Sequence, residues 1–189
     1  METIVDLIEK SCRAFSGKAA LRHKVDEQWK EIAYHEMRTA SDRVAAGLRM
    51  NGFKAGDHAA LLAPSSPRWI IAYLGILKAG GICVPIDKEL KSIELRHVLS
   101  DCEASILFTE RPYFDTVHEM VGDLPSLRQI VMLNPAPVAE GGEPSTASAT
   151  ERHLGLLREQ QAPSGGASEA GTGKKQTEQQ TERRRGQTA

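Results

Sequence analysis

The chain has 189 residues, 40% of them hydrophobic, enough for one domain of ordinary size plus an appendage. Its 24 basic and 25 acidic side chains leave a net charge of −1, so bulk charge gives no pull toward nucleic acid or an anionic membrane. Cys12, Cys83 and Cys102 are odd in number, widely spaced and form no Cys-x-x-Cys pair, the pattern of a reduced protein of the cytoplasm.

The opening "METIVDLIEK" carries acids and no apolar stretch of signal-peptide length. No later run reaches the roughly 18 apolar residues that span a bilayer, so no transmembrane segment is expected. A first helix is predicted in "TIVDLIEKSCRAF", followed by two short strands with a polar turn in "AALRHKVDEQWKEIAY". In "YHEMRTASDRVAAGLRMNG", Met37, Ala40, Val44 and Leu48 recur at helical spacing and Asn51-Gly52 supplies a left-handed stop. "HAALLAP" reads as a buried strand. Ser66 can cap the next helix, Pro67 suits its first turn, and Gly80-Gly81 end it. "ICVPI" is a β-branched strand, "KSIELRHVLSDC" a helix, "ASILFT" a strand, "RPYFDTVHEMVG" a helix and "RQIVML" a last strand. Strands alternating with helices of this length predict an α/β fold: an open, mostly parallel sheet with helices on both faces, spanning residues 1–134.

Composition changes abruptly after that. Beyond Leu157 there is no Val, Ile, Leu, Met or aromatic residue, so residues 135–189 are expected to be a disordered polar tail, with at most a short helix around "ATERHLGLLREQ".

The glycine pair in "GILKAGGICVPID" invites a phosphate-loop reading. Such loops follow a strand and open a helix, where free N–H groups and the positive end of the dipole meet the anion. Gly80-Gly81 have the reverse order: a helix ends there and a strand begins. The expectation is a structural joint, one glycine left-handed and the other allowing close approach to the sheet.

The same residues carry a family likeness. "LKAGGICVPID", Leu77 to Asp87, resembles the second core motif of the adenylate-forming superfamily, which includes acyl-CoA synthetases, peptide-synthetase adenylation domains and luciferases. Upstream, Trp29, Tyr34, Glu36 and Met37 resemble the start of the family's first motif, and "ELRHVLSDCEASILFTE" resembles the next helix and strand. The likeness runs from about Thr3 to Leu133 and is strongest toward fatty acyl-CoA ligases. It implies ATP-dependent, Mg-assisted activation of a carboxylate to an acyl-adenylate and transfer to coenzyme A. It also implies that the family's phosphate loop, adenine and ribose contacts, hinge and catalytic lysine lie later than these residues. On this reading the chain is a truncated ligase-like protein, expected to be inactive alone and to bind no cofactor. The alternative is a non-catalytic binding or regulatory module, and the expected partners are further copies of itself or a full-length relative.

"ASEAGTGKK" offers Gly171, Gly173, Lys174 and Lys175 as a substitute phosphate site. As a P-loop it fails, because Ser168 stands where the first glycine belongs and Lys175 where a Ser or Thr belongs. As the family's loop it lacks a preceding apolar strand. His23, His35, His58, His97, His118 and His153 show no metal spacing and read as surface or helix-face residues. Cys83 reads as a small apolar residue of a central strand, and His97 with Cys102 does not form a shared-face pair. Glu2, Asp6, Glu9, Asp101 and Glu103 read as solvated helix edges. Asp87, after a buried strand, is the one carboxylate near a position where ligands collect, although a turn role is expected. "ERRRG", Glu182 to Gly186, is a weak, salt-sensitive basic run. No catalytic, cofactor-binding or metal residue is assigned.

Overall fold

The computed structural model describes residues 2–134; the expected tail, its short helix and "GTGKK" lie outside the described residues. Helix α1, Ile4–Ala14, starts at Thr3, whose hydroxyl accepts from Asp6 N at 3.1 Å while Asp6 Oδ2 accepts from Thr3 N at 2.9 Å. This reciprocal cap satisfies two of the N–H groups that a helix start leaves open. Strands β1, Ala19–Val25, and β2, Gln28–Ala33, form a separate antiparallel hairpin. Its turn residues Asp26 and Glu27 have φ of 48° and 62°, the left-handed pair that a two-residue hairpin loop demands.

Helix α2 spans Tyr34–Met50, β3 His58–Leu62, α3 Pro67–Lys78, β4 Ile82–Pro85, α4 Ser92–Asp101, β5 Ile106–Thr109, α5 Arg111–Met120 and β6 Gln129–Met132. The last helix tightens into a 3₁₀ turn over Val121–Asp123. β3 to β6 pair in parallel, in the order β4-β3-β5-β6. Alternate residues of the strands face two layers. Leu61, Ile106 and Phe108 pack with Ala45, Leu48, Ala72 and Ile76 of α2 and α3. Leu62, Leu107 and Ile130 pack with Leu95, Leu99, Val117 and Met120 of α4 and α5. The open parallel sheet with helices on both faces is the α/β arrangement expected from the alternation.

The strand order overturns the expected place of Cys83. Cys83 lies on an edge strand, because the α3 crossover carries β4 to one side of β3 while β5 returns on the other. Its side chain is still largely buried, against the α2/α3 layer, and burial pushes its thiol up to about 12.

The glycine joint is built as the helix-to-strand order requires. Gly80 has φ 87°, its N–H donates to Leu77 O, and Gly81 N–H donates to Ile76 O, both at 3.0 Å. Those two bonds close the left-handed helix stop that favours glycine. The end of α2 repeats it, with Gly52 at φ 79° and Phe53 N–H donating to Leu48 O at 3.0 Å.

Candidate functional site at the carboxyl edge of the sheet

In an open parallel sheet, ligands gather beyond the carboxyl ends of strands, where successive connections diverge to opposite faces. Here that point lies between β3 and β5. After β3 the chain enters α3 on one face, and after β5 it enters α5 on the other. Gly80-Gly81, before β4, stand at the opposite edge beside a helix C-terminus, where carbonyls and the negative dipole end repel an anion.

The carboxyl edge is formed by Ser65 and Ser66 before α3 and by Thr109 and Glu110 before α5. Ser66 Oγ accepts from Trp69 N at 3.2 Å, and Asn134 Oδ1 accepts from Arg111 N at 3.0 Å. Arg68 Nη1 donates to Leu133 O at 2.9 Å, holding the end of β6 beside α3. Thr109 shares the register face of Leu62 and Met132, and its fully buried hydroxyl has no hydrogen-bond partner. The edge can therefore attract an anion through Arg68, Arg111 and two helix starts, but two of the N–H groups best placed for it are already taken. Among the described residues no three His, Cys, Asp or Glu side chains are grouped to hold a metal. The described residues do not by themselves fit a nucleotide triphosphate with Mg, which needs a glycine-lined cradle and carboxylates.

Asp87 lies at the end of β4 and makes a turn: its Oδ1 accepts from Glu89 N at 3.0 Å, and its carbonyl accepts from Leu90 N at 3.2 Å. Glu103 has φ 48° just beyond α4, and Asp101 is exposed on that helix's last turn. Glu9 is not a solvated helix edge. It accepts from Arg38 Nε and Lys78 Nζ, both at 2.8 Å, and Lys78 also reaches Asp42 at 2.8 Å. That network ties α1, α2 and α3 together, and sequence spacing could not show it because the partners are 29 to 69 residues apart. Glu2 pairs with Lys10 on the surface. Of the histidines, His35 Nδ1 contacts Ser16 O at 2.9 Å and His97 is exposed. His23 is half-buried, its Nδ1 without a partner. His118 packs against Phe114. Burial raises all three thiols, so none is a poised nucleophile.

Comparison with known proteins decides the ancestry. The family model described as "AMP-binding enzyme" matches residues 8–183. The chain belongs to the AMP-binding enzyme family. That match passes the compositional boundary at 134 and includes "GTGKK". The chain is 28% identical over 169 residues to Gramicidin S synthase 2 of Brevibacillus brevis, covering 84% of this chain and 4% of that protein. It is 31% identical over 108 residues to the long-chain-fatty-acid–CoA ligase of Bacillus subtilis (strain 168), covering 57% of this chain and 19% of that protein. Its fold matches the crystal structure of the anthranilate CoA ligase AuaEII in complex with anthranoyl-AMP, with a TM-score of 0.63 and 29% identity over 68% of this chain and 24% of that one. Coronafacic acid ligase from Pectobacterium brasiliense gives the same TM-score at 18% identity, covering 74% of this chain and 27% of that one, a likeness of fold alone. The AMP-binding fold is thus represented here by its N-terminal part, and no helix among the described residues is long and apolar enough to cross a membrane.

Proposed function

We propose that this chain is the opening part of a carboxylate-activating ligase of the acyl-CoA synthetase type, and that it supplies scaffold rather than catalytic groups. The observation that carries the reading is the family match over residues 8–183, joined to likenesses of 31% and 29% to two CoA ligases. In such an enzyme ATP and Mg would convert a carboxylate, a fatty acid on the likeness to the Bacillus subtilis ligase, to an acyl-adenylate that coenzyme A then captures. The contribution of residues 2–134 is a rigid sheet whose carboxyl edge carries two cationic helix starts.

The 189-residue polypeptide on its own is proposed to form no acyl-adenylate. Adenylation needs a carboxylate held in line with the α-phosphate and charge neutralised on the leaving pyrophosphate, effects worth roughly 10 kcal/mol together. Among the described residues the carboxyl edge has no glycine-lined cradle and no group of three metal-ligating side chains. Exposed apolar residues, among them Leu7, Ile82 and Ile93, support association with further protein, either a second copy or a full-length relative. Location in the cytoplasm belongs to the same proposal and is supported by three free cysteines.

The test has two arms. Purified polypeptide is assayed for fatty-acid-dependent ATP–pyrophosphate exchange, and none above background is expected. Residues 1–134 are then substituted for the matching part of the Bacillus subtilis ligase; restored exchange supports the scaffold reading. A soluble, folded chimera that stays inactive would favour a non-catalytic binding module instead.

A further inference from the structure

A groove of about 540 Å³ opens where the α2/α3 layer stops short of the far side of the sheet. One wall is α2, with Val44, Gly47 and Leu48; the floor is Phe108 of β5 and Val131 of β6. Arg43 stands at its rim, exposed and without an ion pair to any described residue. The opposite face of the same two strands is covered by α4 and α5; on the groove side Phe108 is already out of solvent at 3% exposed, while Val131 of the floor and Val44 of the wall stay half-buried.

The chain's own continuation is the occupant the observations favour. The strand that forms the floor is the last element before residue 135, and Leu133 already turns toward the same layer as Val131. Within residues 135–189, leucine occurs only at Leu154, Leu156 and Leu157, and valine only at Val138. On a helix, Glu151, Leu154, Leu157 and Arg158 would share one face. The 14 residues from 135 to 148 could reach about 49 Å extended at about 3.5 Å each, whereas four-residue β6 is only about 13 Å long. Return to the groove is therefore within reach. The family match continues through this segment, to residue 183.

We propose that residues 149–160, "ATERHLGLLREQ", dock into this groove within the same chain, Leu154 and Leu157 covering the half-buried Val44 and Val131 while Glu151 pairs with Arg43. Helix propensity alone would not hold the segment, because Gly155 sits in its middle and twelve residues are marginal in water. Burial on the groove supplies the missing stabilisation.

Gly47 is a suitable reporter position, since a Cβ there meets nothing within 4 Å. In the full 189-residue chain carrying Gly47→Cys, the alkylation rate at that position is followed by peptide mass spectrometry, with and without Leu154→Ser plus Leu157→Ser. At least tenfold faster alkylation in the serine variant is expected. Equal rates, within twofold, would overturn the proposal, as would protection that grows with protein concentration and so marks a second copy. A charge swap guards against disturbance by the reporter itself: Arg43→Glu alone and Glu151→Arg alone should each lose protection, and the double swap should restore it. Failure of the double swap to restore what both singles lose counts against the Glu151–Arg43 register.

Discussion

A Cβ placed on Gly81 would lie 2.3 Å from Cε1 and 2.5 Å from Cζ of Phe53, and 3.1 Å from the carbonyl of Asp57. Phe53 is 4% exposed and wedged between the end of α2 and the sheet, so its ring has little room to withdraw. Gly81→Ala is expected to destabilise the chain by about 3 kcal/mol through this overpacking. Gly80→Ala should cost about 1 kcal/mol, because the side chain mainly opposes the left-handed backbone. Urea unfolding of both variants checks the order; a Gly80 effect larger than the Gly81 effect would mean that conformation, not approach, sets the joint.

Lys78 is the hub between three helices. Its side chain is 7% exposed and its ammonium donates to Asp42 and lies 2.8 Å from Glu9. Replacing it by Met should cost about 2 kcal/mol, as removal of a charged hydrogen-bond donor strands the partly buried Glu9. In Glu9→Gln the same replacement should cost less, and the difference measures their coupling.

The same lysine sets a pH dependence. Burial pushes its pKa down, but hydrogen bonds to Asp42 and Glu9 outweigh it and hold the value above the ordinary 10.5. A raised folded value means that the folded state keeps a proton the unfolded chain gives up. The contribution is therefore fully present below pH 10.5 and is lost as pH climbs through the raised value. Stability followed from pH 9 to 11.5 should fall less steeply in Lys78→Met than in the wild type.

Thr109 buries a hydroxyl with no partner. Thr109→Val keeps the shape and removes the stranded group, and is expected to stabilise by about 1 kcal/mol. Calorimetric melting gives the sign directly; a lower Tm would show that the hydroxyl is satisfied in solution.

Cys83, with its thiol pushed up to about 12 by burial, should alkylate slowly at pH 8 and about tenfold faster for each pH unit up to 11. A rate that levels off near pH 9 would place the thiol in water.

The elements themselves were legible in the chain because each carries a local cause. Thr3 and Asp6 start α1 and Ser66 starts α3, while Gly52 and Gly80 stop helices in the left-handed conformation, all interactions between residues a few positions apart. The parallel sheet followed from the same alternation, since helices of that length can only be crossovers. The role of Gly80-Gly81 was readable too, because helix-then-strand order alone sets the sign of the field there. What the sequence could not decide was lateral order. Whether β4 lies at the centre or the edge depends on which side of β3 each crossover packs, and no local residue records that. Likewise Glu9, Lys78 and Asp42 are ordinary surface charges until three helices meet. The groove beneath Arg43 exists only because two helices cover part of a four-stranded sheet, a consequence of how layers of unequal width are stacked.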